Sequence, residues 1–225
     1  MWKHSTPLVG GFRCTTAMIA ASDLSHLENT TAGAGSPGAS PRAAYIHVPF
    51  CRHRCGYCNF TLVAGRDDLI EAYLEALERE LTGLSQPQQV DTLFFGGGTP
   101  SHLAPEQLQR LFGIARRWLP AAAGAEVSVE VNPIDLNDVK ARILAEAGVT
   151  RISLGAQSFH AWKLAALERD HDAAMIRAAV DRARQFAQSI SLDLIFASRV
   201  NRWTNGGRIC RRRSSWRPIT FRPRA

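Results

Sequence analysis

The 225-residue chain lacks any apolar run near the about 20 residues that cross a bilayer, so no membrane span is expected. It also lacks the cysteine pattern of a disulfide framework. Five cysteines are an odd number, and three of them, Cys51, Cys55 and Cys58, fall within eight residues, while Cys14 and Cys210 stand far away. A secretory signal is missing too, because the apolar patch at 17–21 is too short for a signal core. Together these absences exclude a secreted, disulfide-stapled domain and point to metal ligation in a reducing compartment, hence a cytoplasmic protein.

Acid is absent from residues 198–225, which hold nine Arg and no Lys. This matters because the whole-chain charge of +7 and pI near 9.6 would otherwise suggest a nucleic-acid partner. Residues 1–43 carry a net +1, and residues 44–197 carry 15 basic and 18 acidic side chains, a net of −3. The body of the protein is mildly acidic, and nucleic acid is not its expected partner.

Residues 22–43 are rich in Ser, Thr, Ala, Gly and Pro, so 1–43 reads as a flexible leader. From residue 44 short apolar strands are expected at 44–48, 90–95, 127–131, 151–154 and 192–196. Pro49, Gly96, Asn132-Pro133 and Gly155 stop the first four. Helical periodicity fills the gaps. Asp68 reads as the cap of a first helix with Leu69, Ile70, Tyr73, Leu74, Leu77 and Leu81 on one face. Pro105 opens a second with Leu108, Leu111, Phe112 and Ala115 inward. Asp135 opens a third (Leu136, Val139, Ile143, Leu144) closed by Gly148, and Met175, Ile176, Ala179, Val180, Ala183 and Phe186 mark a fourth. Strand–helix alternation predicts an α/β fold, a parallel sheet forming an incomplete (β/α) barrel. Chemistry in such sheets collects at the carboxyl ends of the strands.

Those ends are where the unusual residues stand. After the first strand comes Cys51-Arg52-His53-Arg54-Cys55-Gly56-Tyr57-Cys58, a C-x3-C-x2-C motif of soft ligands suited to iron–sulfur clusters or zinc. A zinc site would need His47 or His53 as fourth ligand, and no second cysteine pair exists to complete it. Three thiolates on a cubane cluster leave one iron open, which is useful for ligating a small molecule. Arg52 and Arg54 read as a solvated face of this loop. After the second strand, Gly96-Gly97-Gly98-Thr99-Pro100 lets backbone come close to a ligand. Glu130 sits inside an apolar strand, where it needs a partner, either a ribose diol or a core cation. Gln157 follows the fourth strand, Arg169 lies in Glu168-Arg169-Asp170-His171, and Asp193 interrupts the apolar fifth strand.

The cysteine spacing behind a first strand resembles the radical S-adenosylmethionine (radical SAM) superfamily. That resemblance implies a 4Fe–4S cluster on Cys51, Cys55 and Cys58, with S-adenosylmethionine chelating the fourth iron and cleaved to a 5′-deoxyadenosyl radical. Tyr-Ile-His-Val-Pro-Phe-Cys, Gly-Gly-Gly-Thr-Pro-Ser, Glu-Val-Asn-Pro, Ser-Leu-Gly-Ala-Gln-Ser-Phe and Leu-Asp-Leu-Ile together are similar to the oxygen-independent coproporphyrinogen III oxidase family over 44–197. On that resemblance Tyr45, Gly97 and Glu130 match contacts of the cluster-bound S-adenosylmethionine. Tyr57, Gly98, Thr99, Gln157, Arg169 and Asp193 match positions around a second S-adenosylmethionine in the oxidases. Those oxidases carry a further cysteine two positions after the third, where this chain has Phe60. That form resembles the family's HemW-like heme-chaperone branch and implies heme as cargo of the intact protein, an acceptor, and a reductant protein.

The resemblance stops after residue 197. Residues 198–225 show no periodicity and are expected to be an irregular arginine-rich tail read out of frame, leaving 44–197 as a partial core domain. Three functions are therefore weighed: a heme chaperone, a coproporphyrinogen dehydrogenase of the oxidoreductase class, and a basic-tailed nucleic-acid binder. Phe60 favours the first over the second, and the acidic body counts against the third.

Overall fold

The structure is a computed structural model and describes residues 17–18 and 42–195. Nearly all of the expected leader and the whole arginine-rich tail lie outside the described residues. In chain order the elements are β1 (Ala17–Met18), β2 (Ala43–Val48), β3 (Phe50–Cys51), β4 (Val63–Ala64), α1 (Ile70–Thr82), β5 (Val90–Gly97) and α2 (Pro105–Trp118). Then follow β6 (Ala121–Val131), α3 (Asp138–Glu146), β7 (Arg151–Gln157), α4 (Ala161–Ala166), α5 (Ala173–Ala183) and β8 (Ser189–Leu194).

The main sheet has the order β1-β2-β5-β6-β7-β8. From β2 onward every pairing is parallel, and β1 runs antiparallel to β2 at one edge. Strands appear in the sheet in the order they occur in the chain, with helices between them, which is the winding of a (β/α) barrel left open. Helices α1 with α2, α2 with α3 and α3 with α5 touch one another, so they form one layer on one face. Alternation explains the core. Ala44, Ile46 and Val48, then Val127, Val129 and Val131, then Ile152, Leu154 and Ala156 are buried with Leu74, Leu77, Leu108, Leu111 and Leu144 from the helices. Among the described residues, no helix is long and apolar enough to cross a membrane.

Several helix starts differ from the pattern in the sequence. Residues 67–69 form a 3-10 turn, and Asp68 is engaged by Arg66 through two bonds of 2.8 Å, so α1 begins at Ile70. Asp135 does not open α3. Asn137 does, its side chain accepting from Lys140 N at 2.9 Å. Asp135 instead turns inward to Ser101 Oγ at 3.4 Å, and burial raises its carboxyl above the usual range. Leu69, Val139 and Met175 are exposed rather than buried, because they sit at the flanks of their apolar stripes. β6 begins at Ala121, six residues before the valines, although Ala-Ala-Ala-Gly-Ala favours no strand. Pairing of Val90 with Ala121 draws it into the sheet, a case of tertiary context overriding propensity. α4 was not signalled by periodicity, being only 6 residues long.

Candidate metal centre

The cysteine loop leaves the carboxyl end of β2 and is pinched shut by its own small sheet. Phe50 and Cys51 of β3 pair with Val63 and Ala64 of β4, and Gly65 N donates to Cys51 O at 3.2 Å. Within the loop Cys58 N donates to Cys55 O at 2.9 Å, a turn that brings the second and third cysteines together. Arg54 is exposed, as expected, and also organises the loop: its guanidinium donates to the carbonyls of Cys58 (3.2 Å), Phe60 (3.3 Å) and Leu62 (3.2 Å). Five fixed donors on one planar fork suit a loop with no regular hydrogen bonding of its own. His47 Nε2 donates to Thr61 O at 2.9 Å and ties the far side of the loop to β2.

All three cysteines line a cavity of about 440 Å³ at the carboxyl ends of the strands, within the usual size range of small-ligand sites. Tyr57, Gly97, Gly98, Thr99, Glu130, Gln157, Arg169 and Asp193 line it too. Tyr45, on the face of β2 opposite the helix-packed Ala44 and Ile46, stacks on Phe94 with ring centroids 5.7 Å apart and donates to His47 Nδ1 at 3.4 Å.

The glycine run has structural reasons beside any ligand. A Cβ on Gly97, whose φ is +114°, would stand 2.3 Å from the His47 ring, and one on Gly98 would meet the Pro49 and Phe50 backbone at 2.7 Å. The amide of Gly97 donates to Glu130 Oε2 at 3.1 Å, so the half-buried carboxylate has a backbone donor. Thr99 Oγ1 lies 3.2 Å from Cys51 Sγ. Burial raises the Cys51 thiol above its ordinary value, an environment in which a bound metal would be needed to hold the thiolate. Gln157 sits at φ 54°, a left-handed backbone uncommon for a side chain of this size, at the register shift where β7 meets β8. Asp193 accepts from Ser153 Oγ at 3.0 and 3.2 Å.

Arg169 is the most connected of the expected residues. One terminal nitrogen donates to Cys55 Sγ at 3.6 Å, and the other to Asn132 Oδ1 at 2.7 Å and Gly155 O at 3.2 Å. Its neighbours hold the cysteine loop as well. His53 Nε2 donates to Glu168 O at 2.8 Å, and His53 Nδ1 is 3.3 Å from Asp170 Oδ2.

The donor set fits a cluster better than a zinc ion. Three soft thiols face one cavity, the donor set that leaves one iron of a cubane cluster open. Both ring nitrogens of His53 are engaged, and His47 Nε2 faces a carbonyl, so neither is poised as a fourth zinc ligand. Three residues escaped the reading of the sequence: Asn132, seen only as a strand stop, Ser153, and His53, seen only as a zinc candidate. Asn132 directly before a proline at a strand end was the available signal, since such a side chain is held at the rim.

Comparison with known proteins gives a family model described as the radical SAM superfamily, matching residues 45–199. The chain is 41% identical over 160 residues to the heme chaperone HemW of Bacillus subtilis (strain 168), covering 69% of this chain and 42% of that one. It is 35% identical over 166 residues to the oxygen-independent coproporphyrinogen III oxidase of Bradyrhizobium diazoefficiens, covering 71% and 37% respectively. The crystal structure of coproporphyrinogen III oxidase HemN from Escherichia coli, a radical SAM enzyme, superposes with a TM-score of 0.72 at 29% identity, covering 79% of this chain and 42% of that one. The chain thus spans about two fifths of the length of these relatives.

Proposed function

The chain belongs to the radical SAM superfamily, and we propose that within it the protein is a cytoplasmic heme chaperone rather than a coproporphyrinogen dehydrogenase. Phe60 carries the choice. It lines the cavity mouth with 62% of its surface exposed, at the position where the decarboxylating oxidases are expected to place a further cysteine. A phenyl ring there offers neither a thiol hydrogen nor a polar contact to a substrate propionate.

In this reading Cys51, Cys55 and Cys58 hold a 4Fe–4S cluster, which with S-adenosylmethionine supplies one-electron cleavage of a sulfonium. The remaining residues bind and orient. Glu130, fixed by the Gly97 amide, presents its carboxylate to a ribose diol. Gly98 leaves room against the wall, and Thr99 and Tyr57 offer hydroxyls near the sulfurs. Arg169 faces a carboxylate, while Gln157 and Asp193 close the opposite rim. Tyr45, bonded to His47, is a further contact of the cluster-bound S-adenosylmethionine. Heme or a porphyrinogen is the cargo, and a reductant protein supplies electrons.

The test uses the anaerobically reconstituted protein. Hemin titration should give saturable binding, and coproporphyrinogen III with S-adenosylmethionine and dithionite should give no protoporphyrinogen IX. Robust turnover would overturn the chaperone reading and restore the dehydrogenase, which the similarity to both named oxidases keeps as the second reading.

A further inference from the structure

Three consecutive residues, Glu168, Arg169 and Asp170, all bear on the cysteine loop, two of them on His53 and one on Cys55. Glu168 lends its carbonyl to His53, and its carboxylate lies over Gly56, where an added Cβ would meet it at 3.2 Å. Asp170 pairs with the other nitrogen of His53. Between them Arg169 turns inward to Cys55 Sγ. The turn that permits this is strained: Glu168 has a φ of 53°. Arg169 N is held by Leu164 O at 3.0 Å, so α4 serves as the anchor for the segment. The Nε of Arg169 is buried without a partner, and this cost is accepted to keep the fork aimed.

We infer that Arg169 tunes the reduction potential of the cluster through Cys55, as a positioning and electrostatic residue distinct from any hold on S-adenosylmethionine. The inference rests on the cluster reading above. One-electron reduction adds one negative charge to the cluster and its thiolates, with no proton taken up. A guanidinium N–H aimed at a ligating sulfur favours the more negative state and so raises the potential, since hydrogen bonds to sulfur and local charge set it. Asn132 and Gly155 O fix the fork from behind, so the donor stays on the sulfur whether or not a ligand occupies the cavity. That is the feature a purely ligand-binding arginine would not need.

The experiment is a redox titration of the reconstituted protein without S-adenosylmethionine, read by the visible absorbance and the electron paramagnetic resonance signal of the reduced cluster. Arg169→Gln should hold as much iron and sulfide as wild type, with a midpoint displaced to more negative potential. Asn132→Ala, which removes only the 2.7 Å anchor, should displace it in the same direction by less. Equal midpoints in wild type and Arg169→Gln at equal cluster content would overturn the inference. If Arg169→Gln holds no cluster, Asn132→Ala decides the matter by the same criterion. A wild-type protein that takes up no cluster at all would instead sink the cluster reading and this inference with it.

Discussion

On β6, Val127, Val129 and Val131 are buried against the helix layer, while Ser128 and Glu130 alternate with them on the other face. β7 repeats the division, with Ile152 and Leu154 outward and Arg151 and Ser153 inward. On the inner face the contacts are polar and linked: Arg151 donates to Ser128 Oγ at 3.2 Å and to Ser191 Oγ at 3.3 Å. Ser191 Oγ reaches Ser153 Oγ at 3.2 Å, and Ser153 reaches Asp193. The two faces obey different rules. The helix face depends on volume and tolerates any apolar residue of the right size. The cavity face depends on pairs, where loss of one partner leaves the other buried and unsatisfied.

The largest effect should separate the faces completely. Cys51→Ala, Cys55→Ala and Cys58→Ala should each abolish cluster uptake, read as loss of iron, sulfide and visible absorbance, while far-UV circular dichroism stays that of the wild type. Cys14→Ala and Cys210→Ala should change neither. If the cysteine variants unfold, the faces are not independent, and the loop supports the helix layer.

A paired substitution sharpens the contrast. Leu111 is fully buried under the helices, and Leu111→Ala should cost about 2–5 kcal/mol by denaturant melting with cluster content unchanged. Ser153 is 1% exposed, and Ser153→Ala should cost about 1–3 kcal/mol and also weaken S-adenosylmethionine binding, since it removes the hydroxyl that donates to Asp193. Equal effects of the two on ligand affinity would break the comparison.

The smallest effect concerns a buried titratable group bonded to the backbone of β7. Burial pushes the His171 imidazole down from 6.5 to about 4; Nε2 donates to Ala156 O at 3.0 Å, and Nδ1 is buried without a partner. Below pH 6.5 the unfolded chain takes up this proton and the folded chain does not. Stability should therefore fall as pH drops from 6.5 toward 4, level off below that, and be unaffected by this group above 6.5. Urea midpoints at several pH values should show this slope, and His171→Gln, which keeps a donor, should flatten it. An unchanged slope in that variant would assign the acid sensitivity elsewhere.

Much of the fold was legible because burial imposes period. Ile46, Val129 and Leu154 announced strands, and Leu74, Leu108 and Leu144 announced helices, since each must alternate or recur to reach one core. Boundaries were less legible. Asp68 and Asp135 carry the right side chain for a cap, but their carboxylates are spent on Arg66 and on the buried Ser101–Lys140 cluster, which no local pattern reveals. Residues 121–126 became strand only because Val90 pairs with Ala121.

For the site, the cysteine spacing pointed to soft-metal ligation and, with the glycine run and the lone acids, carried the family resemblance, because ligand type and close backbone approach are properties of residue identity. Which of them meet was decided by the tertiary structure. Arg169 and Cys55 are separated by 114 positions and come together because the cysteine loop and the ends of β6 and β7 line one cavity, where Asn132 and Gly155 hold the guanidinium against Cys55 Sγ. Tyr45 lies on the sheet face away from the helices by strand alternation, and its stacking on Phe94 and bond to His47 are set by how β2 registers against β5. Side-chain chemistry is local and can be read along the chain, whereas direction and distance depend on how strands register and twist against one another, which only the folded sheet sets.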